Sequence, residues 1–255
     1  MLRQSFIHVP GIGPAAERSL WEQGCADWDA YLAEPDRYSL GSARIDHVGT
    51  FLELSRDALA EREHQFFARH LGLAESWRAW PDFKDTAVYL DIETDGGNSG
   101  DAITMIGLYD STGFHCLTRD EGLGAFPDIM SRYSMVVTFF GASFDLPMIQ
   151  KKFTGFRFDQ LHLDLCPTLK RVGFKGGLKK IEKAVGIARP DEAEGLNGRD
   201  AIRLWRQYER YGDIGAKETL IAYNREDVVN LETLAQIAYD RLKDDAYGVK
   251  PVATA

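Results

Sequence analysis

The stretch TAVYLDIET, residues 86–94, decides how the rest of the chain is read. Its run of aromatic, β-branched and apolar residues predicts a strand. Side chains alternate along a strand, so Asp91 and Glu93 project from one face while Leu90, Ile92 and Thr94 project from the other. Charge on an apolar strand is costly unless it is paired, protonated or bound to metal. Hard divalent cations such as Mg²⁺ take oxygen ligands of this kind and keep waters for substrate phosphates. Alone, an Asp-x-Glu pair also reads as a strand end reaching solvent, so its meaning depends on what accompanies it.

Outward from this strand, AITMIGLYDS (102–111) and GFHCLTRD (113–120) are short apolar runs separated by Gly, Asp and Ser turns, and they read as consecutive strands. SMVVTFF (134–140) is a fourth strand candidate after a helical stretch around Phe126 to Tyr133. Helical patterns follow in DLPMIQKKF (145–153), DLCPTLKRV (164–172), GLKKIEKAVGI (177–187), RDAIRLWRQYERYG (199–212) and a long segment from about Ala216 to Leu242. Hairpin-connected strands, then helix and strand, then helices predict an α/β fold, a mixed sheet flanked by helices. Residues 1–83 are expected to form a small all-helical region, with one helix after PGIGP and a second pattern over 46–72. The expected organisation is 1–83 helical, 84–245 the α/β domain, and 246–255 a frayed tail.

Two further carboxylates stand at the edges of these elements. In FFGASFDLPMI (139–149), Gly141 breaks the strand and Asp145 opens a helix after Phe144. Taken alone, Asp145 reads first as a helix cap, and second as a ligand at the carboxyl end of a buried strand. In YNREDVVNL (223–231), Tyr223 and Asp227 are four apart on one helix face, beside the apolar stripe of Leu220, Val228, Leu231 and Leu234.

Taken in order and on those elements, LDIET, then Gly-x-x-Phe-Asp, then Tyr-x-x-x-Asp resemble the DEDD (DnaQ-like) 3′–5′ exonucleases of ribonuclease H-like fold. The resemblance covers about residues 84–242. Ala222 stands where the histidine subtype needs its His, and Tyr223 where the tyrosine subtype (DEDDy) has its Tyr. Phe140 replaces the Asn that often precedes the glycine of the second motif. The resemblance implies hydrolysis of phosphodiester bonds from a 3′ end, with two divalent ions, Mg²⁺ or Mn²⁺, as cofactors and DNA or RNA as partner. Asp91 would bridge both ions, Glu93 and Asp227 would complete one site, Asp145 would support the other, and Tyr223 would orient water. A ribonuclease H-like endonuclease and a catalytically silent nucleic-acid-binding module are the alternatives.

Other features bear on substrate. The net charge is −9, unlike that of a general nucleic-acid binder. From Lys151 to Lys183, however, nine basic and three acidic residues occur. That segment reads either as a phosphate-binding lobe or as a solvated helix face. Within it, Gly176-Gly177 lead into a helix carrying Lys179 and Lys180, a candidate phosphate grip. Thr94 and Phe144 are candidate substrate contacts. His162, near Asp164, reads as a partly buried histidine with its bonds satisfied. PGIGPAAERSL (10–20) resembles the turn of a helix-hairpin-helix motif, which makes Gly11, Ile12 and Gly13 a possible phosphate-binding turn and tilts the expectation toward DNA. Glu17 and the two alanines after the turn depart from that pattern. Three scattered cysteines with no CxxC pair, and no apolar run of membrane or signal-peptide type, lead us to expect a soluble cytoplasmic protein without a disulfide framework or thiolate zinc site.

Overall fold

The computed structural model describes residues 1–40, 47–190 and 195–248. Five strands form one mixed sheet: β1 Ala87–Thr94, β2 Ile103–Asp110, β3 Gly113–Thr118, β4 Met135–Thr138 and β5 Leu161–Asp164. Their spatial order is β3-β2-β1-β4-β5. The first three pair antiparallel, while β4 joins β1 and β5 joins β4 in parallel. β1 is thus the central strand, and its LDIET segment pairs with β2 along its length while running past the end of the β4 ladder.

Among the described residues, eleven helices surround the sheet. The first five are α1 Pro14–Glu22, α2 Trp28–Ala33, α3 Val48–Ala60, α4 His64–His70 and α5 Trp80–Phe83. Next come α6 Phe126–Met130, α7 Asp145–Lys152, α8 Leu165–Arg171 and α9 Leu178–Ala184. α10 Gly198–Tyr211 and α11 Ile214–Ala246 complete the chain. No helix among the described residues is long and apolar enough to cross a membrane.

The two faces of β1 enter different cores, as its alternation requires. Val88, Leu90 and Ile92 pack with Phe126, Met130 and Ile149. Ala87 and Tyr89 face the other way, into a core that runs without a break from Phe6, Trp28 and Phe67 through Trp77 and Trp80 to Leu234 of α11. A third cluster, around Met105, Trp205 and Leu220, packs α10 against α11.

The segment Ser5–Ile7 is fixed by a buried carboxylate. Glu17 accepts from Ser5 Oγ at 2.9 Å and from the amides of Phe6 and Ile7 at 2.6 and 3.1 Å. Arg78 Nη2 meets its second oxygen at 2.9 Å. A buried charge needs such saturation to be tolerated, and this one ties the N-terminus to the connector ahead of β1.

Three expectations need correction. The single helical pattern over 46–72 is two helices, because Arg62 adopts φ 56° and turns the chain between α3 and α4. Residues 41–46, where that pattern was expected to begin, fall outside the described residues, as does most of the expected tail. The fourth strand stops at Thr138, not Phe140, because Phe140 has φ 68° and cannot continue a ladder. Finally, 161–164 is a strand that hydropathy reading misses, and Asp164, expected in a helix, instead ends β5 and caps α8 by accepting from the Cys166 amide at 3.0 Å. A four-residue strand that runs directly into a helix offers too few alternations for a period to register.

Candidate active site

The register of the central hairpin builds the site. Asp91 lies opposite Gly107 and Glu93 opposite Met105. A side chain at Gly107 would occupy space taken by Asn224 of α11, whose Oδ1 lies 1.8 Å from where a Cβ would be. Glycine here lets the helix approach the sheet. The Asn224 amide then donates from Nδ2 to Asp91 Oδ2 at 2.9 Å. One turn along α11, Asp227 points into the same space.

Asp91, Glu93 and Asp227 each offer an oxygen within 4.8 Å of the others. Their electrostatics show the strain of that crowding. Burial, then the charges of Asp145, Asp227 and Glu93, raise Asp91 well above the usual carboxylate range. Burial, followed by the Asp227 charge, pushes Glu93 up to about 8, against the opposing influence of Asn224 and Lys179. Burial raises Asp227 as well, although Arg189 pulls it back. Such a cluster asks for a cation. Its donors are all hard oxygens, and Asn224 Oδ1 is buried beside them with no hydrogen-bond partner. The residues therefore fit a hard divalent ion.

Asp145 stands apart from the trio. Its Oδ1 accepts from the Ile92 amide at 3.0 Å. That amide is free because the β1–β4 ladder ends at the Tyr89–Val137 pair. Burial pushes the Asp145 carboxyl up to about 7 even though this bond favours its ionised form.

Tyr223 is buried, and the Lys179 ammonium lies 4.4 Å from its ring centre. Burial and then Asp227, Glu93 and Asp91 raise its phenol pKa, so the hydroxyl stays a proton donor at neutral pH. Lys179 also donates to the Leu196 carbonyl, and burial lowers its pKa. A cleft of about 340 Å³ opens over the cluster, lined by Asp91, Tyr223, Asp227, Lys179, Lys180 and Phe139 among others.

Of the sequence-predicted residues, the structure thus brings together Asp91, Glu93, Tyr223, Asp227, Lys179 and Lys180. Thr94 lies at an irregularity in the β1–β2 register, and Phe144 is 42% exposed ahead of α7; neither lines the cleft. Two residues of the remaining basic lobe are engaged elsewhere: Lys152 pairs with Asp101 at 2.8 Å and Arg171 with Glu75 at 3.2 Å. His162 is satisfied by Thr138 Oγ1 at 2.9 Å. Gly11, Ile12 and Gly13 form a separate turn, with φ 89° at Gly11, a buried Ile12 side chain and Gly13 capping α1.

Sequence reasoning missed four residues. Gly107 and Asn224 position Asp91. Arg189, nearly buried, bonds Asp227 Oδ1 at 2.6 Å and grips both oxygens of Glu182 at 2.7 Å. Glu182 also accepts from Asn230 at 3.1 Å. Gly107 had a signal, since a glycine inside an apolar strand often marks close backbone approach. Arg189 and Glu182 had none, because their partnership closes through tertiary structure.

Comparison with known proteins bears on the family. The polymerase chain in the structure of the family B DNA polymerase from the hyperthermophilic archaeon Pyrobaculum calidifontis is similar at 16% identity and a TM-score of 0.47, over 59% of this chain and 24% of that one. This chain therefore spans about a quarter of that polymerase's length. No curated protein sequence matches. The profile of the RNase_H_2 family, described as RNase_H superfamily, matches residues 88–239, which is more than half of the chain and contains every strand but the first residue of β1. The chain belongs to the RNase H superfamily.

Proposed function

We propose that this protein is a metal-dependent 3′–5′ exonuclease of the tyrosine subtype, acting on DNA in preference to RNA. Membership of the RNase H superfamily supports a nuclease. The observation that carries the reading is the trio of half-buried Asp91 with buried Glu93 and Asp227, whose oxygens converge within 4.8 Å beneath an open cleft. Exonucleolytic direction is supported by the order of the three motifs, and the DNA preference by the Gly11–Gly13 turn.

In this reading Asp91, Glu93 and Asp227 would hold one divalent ion, with Asp145 joining Asp91 at a second. Bound divalent ions would supply Lewis acidity, lowering the pKa of water and neutralising charge that builds on the scissile phosphate. The chain's own residues do the rest. Asn224 fixes the orientation of Asp91, and Arg189 fixes that of Asp227. The protonated Tyr223 hydroxyl, facing three carboxylates, is a donor that can orient a water but is too weakly acidic to serve as a base at neutral pH. Lys179 and Lys180, which line the cleft, hold the backbone phosphates of the strand.

The test is a time course on 3′- and 5′-labelled DNA and RNA with Mg²⁺ or Mn²⁺, alongside a closed circular substrate. Stepwise loss from the 3′ label with the circle intact is expected. Cleavage of the circle would establish an endonuclease instead, and the lack of both Mn²⁺ binding by calorimetry and degradation would establish a silent binding module.

A further inference from the structure

Phe140 combines features that a structural side chain avoids. The residue is 54% exposed. Its backbone has φ 68°, a region that disfavours any residue bearing a Cβ and a bulky ring most of all. The conformation is enforced from beneath. Buried Asp164 accepts from the Phe140 amide at 2.8 Å through one oxygen and from the Ala142 amide at 3.0 Å through the other. Next door, a Cβ on Gly141 would fall 2.3 Å from Thr138 Oγ1, so that residue too is locked.

Arg62 is the other non-glycine residue at positive φ among the described residues, and its strain is offset by visible contacts. Its guanidinium bonds Asp85 at 2.6 Å and lies 5.4 Å from the Phe83 ring centre. The Phe140 ring has no aromatic or cation partner among the described residues. A strained, clamped and unpartnered aromatic is a site where conformation has been kept for something outside the fold. Its location says what. The preceding residue, Phe139, lines the cleft with Asp91, and Asp145 follows five residues on.

We propose that Phe140 is a substrate-binding residue whose ring is the stacking platform for an unpaired base of the strand whose 3′ end enters the cleft. This rests on the exonuclease reading and deepens it: the favoured substrate is single-stranded. Every base has a π-face, so a ring offered this way grips a strand without reading its sequence. The replaced position matters too. An Asn there would offer a polar contact, whereas Phe offers stacking alone.

Three variants test this: Phe140→Gly, which removes the ring and relaxes the backbone; Phe140→Asn, which tolerates positive φ; and Phe140→Tyr, which keeps the ring. Each is measured for melting temperature, for binding of a fluorescein-labelled oligo(dT) and a blunt DNA hairpin by anisotropy in Ca²⁺, and for KM and kcat on 3′-labelled oligo(dT) in Mn²⁺. Expected for Gly and Asn is roughly tenfold weaker oligo(dT) binding, with hairpin binding unchanged. The kinetic loss should fall on KM, and melting should occur at or above the wild-type temperature. Tyr should match wild type. Oligo(dT) binding by Phe140→Gly equal to wild type, or a melting temperature several degrees lower, would overturn the proposal. Wild type that binds oligo(dT) but degrades nothing would remove the exonuclease reading and leave stacking to be judged on the anisotropy alone. Wild type that neither binds nor degrades it would remove both.

Discussion

Substituting Gly107 with Ala tests whether the site is set by the spacing between β2 and α11. The new methyl would lie 1.8 Å from Asn224 Oδ1. Carbon and oxygen need roughly 3.5 Å, so the amide must retreat by about 1.7 Å. That exceeds any slack in the 2.9 Å bond from Asn224 Nδ2 to Asp91 Oδ2. A hydrogen bond to a charged group contributes about 1.5–3 kcal/mol, so losing it should lower kcat/KM on a 3′-labelled strand by roughly 10- to 150-fold. Strand propensity works the other way, because Ala is better tolerated than Gly inside a strand. The loss is therefore expected without unfolding, as circular dichroism would verify. A double-mutant cycle sharpens the test. Asn224→Ala alone should cost about as much, and adding Gly107→Ala to it should cost little more, since the clashing amide is gone. Wild-type kcat/KM in Gly107→Ala, or fully additive losses in the double variant, would refute the reasoning.

Arg189→Met leaves Glu182 and Asp227 buried without their cation, and should lower stability by about 3–5 kcal/mol in denaturant melts; a change below 1 kcal/mol would show that the network is not what holds α9 to α11. In metal-free protein, the raised carboxyls of Glu93, about 8, and Asp145, about 7, make the folded state bind more protons than the unfolded one. Their contribution to stability is thus present in acid and lost as pH climbs from about 4 toward 8, so the melting temperature in EDTA should fall across that window and Mn²⁺ should reverse the fall; an EDTA profile that rises over the window contradicts the buried, crowded site. Asp91→Ala should abolish turnover, whereas Tyr223→Phe, losing only one oriented hydroxyl, should retain activity reduced about tenfold, as single-turnover rates would reveal.

What was legible in the sequence depended on local period. Asp91 and Glu93 could be placed on one face because strand side chains alternate, and Tyr223 with Asp227 because a helix returns every fourth residue. Both statements need only a few neighbours along the chain. Asn224, immediately after Tyr223, stayed hidden because its importance lies in a gap 117 positions away at Gly107. Glu182 sits in a lysine-rich segment that reads as solvated, yet it is 1% exposed, because Arg189 and Asn230 reach it from other elements. The engagement of Lys152 was hidden for the same reason: the aspartate that pairs with it lies 51 residues away. The second motif was found by its residue types, but the backbone inversion at Phe140 that ends β4 could not be, since positive φ in a Phe has no sequence signature.

The 33-residue α11, about 50 Å long, is where chemistry and scaffold meet. Tyr223, Asn224 and Asp227 occupy its first half, and its second half, through Tyr239, packs against Trp77 and Trp80, 6.1 and 5.8 Å away between ring centres. A rod seated at its far end transmits any change in that seat to its working end. The tryptophans of the connector therefore act as a datum against which the carboxylates of the cleft are aligned. In evolutionary terms, the helices before β1 are poor candidates for exchange or loss as a cassette, because a lineage that replaced them would have to re-zero the position of Asp227 at the same time.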